Sequence, residues 1–278
     1  MKRMMFWSLM MLVVTMPLLA ACGSNDEEGS NITPSSPSNK RVTKIVEEKR
    51  NSITKRNFSY DAKGRVIEMK TTLNSGSTTN KIRKRTYQYG ETLIIVNEVE
   101  IVNNTTNNTH YSYTYNLSDG KIVRKTQNET GNSVTYTYDS NGYMQKSDNS
   151  TEYDHIFNWS DGNLTSISVS VLDYTESSFE YTNEVWKLGT FFDVESEIVS
   201  NGLTGIDPVL IATGYFGKIP RNLPDKWESY DGILKISYKY TMSGGLLTIV
   251  EKQYDSLTSI QGQNINYSYN SVIFITWE

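Results

Sequence analysis

Residues 60–66 read Y-D-A-K-G-R-V. An aromatic residue closes one apolar alternation, a polar turn carrying Asp and then Gly follows, and an apolar residue opens the next run. Asp61 can bond local backbone groups, and Gly64 supplies the positive φ that a tight turn needs. The same grammar recurs as N-L-S-D-G-K-I from Asn116, Y-D-S-N-G-Y-M from Tyr138 and W-S-D-G-N-L from Trp159. Ser243-Gly244-Gly245 is a further turn. Gly120, Gly142 and Gly162 follow one another at 22 and 20 residues, which is one hairpin per repeat.

The runs between these turns alternate with period 2. Tyr111, Tyr113 and Tyr115 alternate with Ser112 and Thr114; Val134, Tyr136 and Tyr138 with Thr135 and Thr137. Ile167, Val169 and Val171 do so with serines, Leu234, Ile236, Tyr238 and Tyr240 with Lys and Ser, and Ile265, Tyr267 and Tyr269 with Asn and Ser. One face of each run is aromatic or aliphatic and the other is Ser, Thr, Asn or Lys, the pattern of half-buried antiparallel strands. The fold class expected is mainly β: a meander of about 14 strands closing into a barrel or strongly curled sheet. A membrane porin turns an apolar band to lipid. Here the second face is polar, so the aromatic face must point inward and the barrel should be soluble. Closure would also remove the sticky edges of so many strands.

Residues 184–231 break the pattern. Ile206 to Gly217 predicts a short helix near residues 207–216, with Asp207 as N-cap, Pro208 at the first helical position and Gly217 as terminator. It is apolar on nearly every side, so it should be buried, filling or capping the lumen. Lys218 to Pro224 predicts an extended two-proline link.

The N-terminus speaks about address. Met1-Lys2-Arg3 is a short basic region, and Met4–Ala20 is apolar apart from Ser8, Thr15 and Pro17. That is a secretion signal, too short for a durable transmembrane helix. Leu19-Ala20-Ala21-Cys22 resembles the bacterial lipoprotein box, which implies cleavage before Cys22 and lipids on its thiol and new amino group. Several acyl chains together hold a protein firmly at a membrane. Cys22 is the sole cysteine, so the expected mature chain has no disulfide. The domains expected are a signal peptide over 1–21, a lipidated polar tether over 22–40 and one β-rich domain over 41–278. Losing residues 1–21 removes two basic residues, leaving 25 against 31 acidic ones and a net charge of −6. That balance argues against nucleic acid as a partner. The acidic run Asp26-Glu27-Glu28 resembles the export signal of surface lipoproteins in Bacteroidetes. It implies the outer face of the outer membrane, the alternative being a periplasm-facing anchor.

Two further resemblances concern the repeats and the interruption. Y-D-x-x-G-R-V resembles the YD repeats of RHS-type proteins; the match is good at 60–66 and degenerate elsewhere, where Arg65 is replaced by Lys121, Tyr143 and Asn163. The combination of lipoprotein box, YD-like hairpins, G-Y-F-G-K…N-L-P over Gly214–Pro224 and a final strand pair resembles a Bacteroidetes lipoprotein family of unknown function. It implies a porin-like fold over residues 40–278 and brings no catalytic residues.

Chemistry is thin in the rest of the sequence. His110 and His155 lie 45 residues apart, outside any zinc spacing, and no nucleophile elbow, P-loop or dinucleotide fingerprint is present. No cofactor or metal is expected; Asp139-Ser140-Asn141-Gly142 reads as turn chemistry rather than a calcium loop. Asp193, Glu195 and Glu197 alternate, and clustered carboxylates can act as acid and base. Trp186 and Trp227 flank the irregular segment, where ligand sites tend to lie, and with Tyr215 are the ligand-binding candidates. Asp255-Ser256-Leu257 resembles a short O-glycosylation motif, which would put a glycan on Ser256. The function expected is non-catalytic binding of a glycan, peptide or protein at the envelope. The alternatives are a carboxylate-dependent hydrolase and a purely structural envelope protein.

Overall fold

The computed structural model describes residues 40–278 except 76–78, 104–108, 152, 171–173, 186–205, 230–231 and 261–262. The lipid-attachment candidate Cys22, the acidic run and the tether lie outside the described residues.

Sixteen strands run β1 (Val42–Lys49), β2 (Ser52–Tyr60), β3 (Val66–Ser75), β4 (Thr79–Tyr89), β5 (Leu93–Val102), β6 (Thr109–Ser118), β7 (Lys121–Gln127) and β8 (Ser133–Tyr138), then β9 (Met144–Asn149), β10 (His155–Ser160), β11 (Asn163–Val169), β12 (Tyr174–Val185), β13 (Asn222–Ser229), β14 (Leu234–Ser243), β15 (Leu246–Ile260) and β16 (Gln263–Trp277). Each pairs antiparallel with its sequence neighbours, and β16 returns to β1 through Val46↔Phe274 to close the barrel. The count exceeds the sequence reading by two. The least legible strands are β9, where only Met144 and Ser147 are buried, and β13, which carries Pro224.

The turns are built as the sequence demands. Asp119-Gly120 and Asp161-Gly162 are two-residue hairpins with positive φ at both positions, 49° and 73° in the first. The Y-D-x-x-G turns use the aspartate instead: Asp61 Oδ1 accepts from Lys63 and Arg65 N–H, and Asp139 Oδ1 from Asn141 and Tyr143 N–H.

The aromatic residue of the repeat has a job of its own. Tyr89 Oη donates to Val66 O at 2.8 Å, Tyr138 to Ile122 O at 2.6 Å and Tyr181 to Leu164 O at 2.7 Å. Tyr60 reaches Val42 O, Tyr240 reaches Pro224 O, and the indoles of Trp159 and Trp277 reach Met144 O and Leu247 O. Each even-numbered strand except β6 thus ends in an aromatic latch onto the opening of the strand before it. Register shifts at Ser59/Tyr60, Thr137/Tyr138, Asn158/Trp159 and Glu180/Tyr181 coincide with the latches. Strand β6 carries Leu117 there, an apolar side chain with no hydroxyl or N–H to donate.

The helix α1 spans Pro208–Ala212, shorter than the 207–216 expected. Asp207 is its N-cap, accepting from Val209 and Leu210 N–H on one oxygen. The helix stops early because the Thr213 hydroxyl bonds Val209 O and Gly214 turns at φ 82°. Phe216 then packs edge-on against Tyr115 and Tyr136, filling this end of the barrel as a plug. The plug is stitched to the turns: Ile122 N–H donates to Tyr215 O, Lys218 N–H to Gly142 O and Arg221 N–H to Gly162 O. Of the two-proline link, Lys218 bridges to Tyr143, Arg221 bends, and β13 begins inside it at Asn222.

The aromatic face does point inward: Tyr87, Tyr115, Tyr136 and Phe157 join Ile94, Ile167, Ile236 and the helix residues Val209 and Leu210 in one core. Outward positions include Lys70, Thr135, Thr137, Lys235 and Lys239. Exposed apolar residues such as Ile53, Ile67, Ile156 and Phe274 are dispersed among them, and no continuous apolar band forms among the described residues.

Candidate functional site

The barrel interior has two unlike halves. Toward the latched turns it is apolar and plugged by α1. Toward the opposite mouth the same inward strand positions turn polar: Glu98, Ser147, His155, Ser177, Lys252 and Ser271 are all buried. Burial of so many polar groups is costly unless they are satisfied, so this half is where the fold departs from a plain core.

A charge ladder explains part of it. On β4, Lys81, Arg83 and Arg85 alternate on the inward face, below Tyr87 and Tyr89. On β5, opposite them, stand Glu100 and Glu98. Lys81 meets Glu100 at 2.8 Å, and Arg83 bridges Glu100 at 3.0 Å and Glu98 at 3.2 Å. Arg85 bonds Glu98 and reaches Asp207 at 3.2 Å. Tyr87 Oη lies 3.3 Å from both Asp207 oxygens. Three cations thus face three carboxylates, one of them the helix cap. Burial opposes the charge on Arg85, but Asp207 and Glu98 outweigh it and hold its guanidinium pKa above the ordinary value.

Other inward cations are handled differently. Arg56 sits 3.7 Å from Glu47, which also accepts from the Ser271 hydroxyl. Lys49 lies over the rings of Tyr254 at 4.3 Å and Tyr269 at 5.0 Å, and Arg50 over Tyr269 at 4.2 Å. Those two rings stack at 4.6 Å and 6°. Arg50 holds a left-handed φ of 47° in the β1–β2 turn, at the mouth, and Tyr267 is 44 % exposed on the same wall. Lys125 on β7 lies 4.5 Å over the Tyr113 ring and 6.0 Å over Tyr115. Burial first, and Arg85 nearby, push its ammonium pKa down to about 8. Among the described residues, no carboxylate lies within ion-pair distance of Lys49, Arg50 or Lys125.

The comparisons with known proteins bear on this architecture. A family model described as a domain of unknown function (DUF4595) with porin-like fold matches residues 58–245. The chain belongs to this family. Among solved structures, a porin-like protein from Bacteroides uniformis ATCC 8492 is similar with a TM-score of 0.61 at 15 % identity, over 84 % of this chain and 96 % of that one. A porin-like protein from Bacteroides vulgatus ATCC 8482 matches over 85 % of this chain and 98 % of that one, at 10 % identity and a TM-score of 0.27. The likeness to the first shows the fold. No curated protein matches the chain.

For this member of the porin-like family, the three ligand-binding candidates part company. Trp227 is 2 % exposed in the core, paired across to Phe179 and Ile236, so it is not an open stacking platform. Its indole N–H finds no acceptor among the described residues. Tyr215 is half-buried in the plug, stacked on Tyr89 at 5.8 Å, with Arg65 over the Tyr89 ring. Trp186 and the carboxylates Asp193, Glu195 and Glu197 lie outside the described residues. Ser256 sits within β15, half-buried and paired across to Leu234 and Tyr267, rather than on a loop tip. His110 is exposed, and His155 is buried on the inward face of β10. No cluster of three His, Cys, Asp or Glu that could hold a metal is present among the described residues.

Sequence reasoning missed the ladder, although its signal was present. Lys81, Arg83 and Arg85 share parity with Tyr87 and Tyr89, and Glu98 and Glu100 share parity with Ile94 and Val96. Once the aromatic face is assigned inward, these charges must follow it.

Proposed function

We propose that this chain is a cell-envelope lipoprotein, held by lipid on Cys22 at the outer face of the outer membrane, that binds a glycan, peptide or protein partner without catalysis. The observation that carries the binding reading is the mouth of the polar half. There Lys49 and Arg50 lie over the stacked rings of Tyr254 and Tyr269, with Tyr267 exposed beside them. Cations held over tyrosine rings without carboxylate partners, beside one exposed tyrosine, are what a binder of polar ligands presents. Residues 41 and 278 pair with each other at the plugged end, where Arg41 also covers Gly64. The mouth is therefore at the end of the barrel remote from where the tether begins.

The binding test is a glycan array and an envelope-protein pull-down with wild type and a Lys49→Ala/Arg50→Ala double variant. A hit lost in the double variant supports the reading; no hit with wild type overturns it. The address is tested separately by protease treatment of intact cells, with Cys22→Ala as the anchoring control. Loss of the wild-type band with periplasmic markers spared supports surface display, whereas a protected band places the protein inside.

A further inference from the structure

We propose that Lys125 anchors an oxyanion-binding site within the polar half of the barrel, taking the carboxylate or phosphate of a small molecule. This rests on the binding reading above but on a different residue, deeper on the opposite part of the wall.

An ammonium withdrawn from water needs an anion or several polar partners. This barrel supplies them carefully elsewhere. Lys81, Arg83 and Arg85 each meet a carboxylate at the adjacent strand or at the helix cap. Lys125 faces the same interior, is half-buried, and has none within reach. The charged and titratable groups around it are Arg85 from β4, Glu98 from β5, Asp207 at the start of α1, and Tyr113 and Tyr115 from β6. The acids among them are already engaged: Glu98 by Arg83 and Arg85, Asp207 by Arg85, Tyr87 and two helix N–H groups. The tyrosine rings fix the ammonium in place without giving it a negative charge. What is left is a positioned cation with open anion capacity, on the inward face of the half of the barrel that buries polar residues.

An ordinary explanation competes with this one. A lysine can lay its stem along apolar surface and send only its head to water. In that case the head would be solvated and would show no selectivity.

The probes are glucuronate and inorganic phosphate, with glucose as the neutral control, titrated by NMR into the full chain at pH 6.5 and 9.5. The expected result is saturable binding of at least one oxyanion and none of glucose. Affinity should fall at least tenfold between the two pH values, because the ammonium loses its proton near pH 8. Lys125→Met should lose at least tenfold at pH 6.5. That variant removes a buried charge while keeping the stem, so it should fold at least as well as wild type, and a thermal melt checks this. Which probe binds identifies an acidic sugar or a phosphate source. Absence of saturable binding, or binding unchanged by pH or by Lys125→Met, overturns the proposal. Partner binding lost in Lys49→Ala/Arg50→Ala together with oxyanion binding unchanged in Lys125→Met would leave the mouth reading standing while this one fell.

Discussion

Asp207 sits where the helix meets the wall. Its Oδ1 caps Val209 and Leu210 N–H, its Oδ2 takes Arg85, and Tyr87 donates toward both. Removing it leaves Arg85 short of a counter-charge inside the barrel and the helix without a cap. Asp207→Ala should therefore cost about 3–5 kcal/mol, the scale for breaking a buried pair from one side. Asp207→Asn keeps a good capping side chain and should cost distinctly less. Urea denaturation of the two variants checks the order, and equal losses would mean that the charge facing Arg85 alone matters and the cap adds nothing. Two plug glycines separate backbone strain from crowding in the same way. Both adopt φ 82°, but a Cβ at Gly214 would meet nothing within 4 Å, whereas one at Gly217 would lie 2.4 Å from Gly142 O and 2.9 Å from the Tyr138 ring. Gly214→Ala should cost about 1 kcal/mol, the left-handed penalty. Gly217→Ala should cost clearly more, because it pushes backbone against backbone and lifts the plug from the turns.

At the scale of elements, the latch gives the repeat its physical meaning. Tyrosine sits toward the strand end because its hydroxyl spans to the carbonyl at the start of the strand before it. Tyr138→Phe removes one such bond, to Ile122 O, and leaves that carbonyl to find another donor. The expected loss is about 1 kcal/mol by thermal or urea melting, the usual net worth of one hydrogen bond. Leu117→Ala, at the one even-numbered strand end without a latch, would report apolar packing alone. This logic also explains what the sequence could disclose. Hairpins are local: Asp61 and Gly64, or Asp119 and Gly120, define a turn within a few residues, so strands and turns were legible. The short helix was legible for the same reason, through Asp207 and Pro208. Its length was not, because Thr213 and Gly214 end it one turn earlier than the terminator expected at Gly217. The latches were invisible because each joins residues some 15 to 30 positions apart, across a hairpin. The ladder was hidden by a different fault. Lysine and arginine on β4 fit a solvated face so readily that only the parity shared with Tyr87 and Tyr89 turns them inward.

The whole molecule depends on closure and on a set of tyrosines that must remain neutral. The β16–β1 pairing, from Val42↔Trp277 to Lys49↔Ser271, leaves no sheet edge in the barrel. The inward tyrosines are kept uncharged by burial. Burial pushes the Tyr60 pKa up to about 12, partly offset by Arg41, and raises Tyr89, Tyr138, Tyr181 and Tyr240 further still. A group whose pKa is higher in the folded state contributes stability that is complete below its unfolded value, near 10, and is lost as pH rises toward and through the folded value. Because many tyrosines titrate in the unfolded chain over the same narrow range, their effects add. The barrel should keep its β circular dichroism through neutral pH and lose it steeply from about pH 10 upward. A Tyr60→Phe variant tests the mechanism rather than the outcome alone. It should be less stable than wild type at pH 7, having lost the bond to Val42 O, yet its urea midpoint should fall less steeply with pH, so that the gap narrows above pH 10. A gap that stays constant across that range would show that Tyr60 does not take part in the alkaline transition and contributes through its hydrogen bond to Val42 O alone.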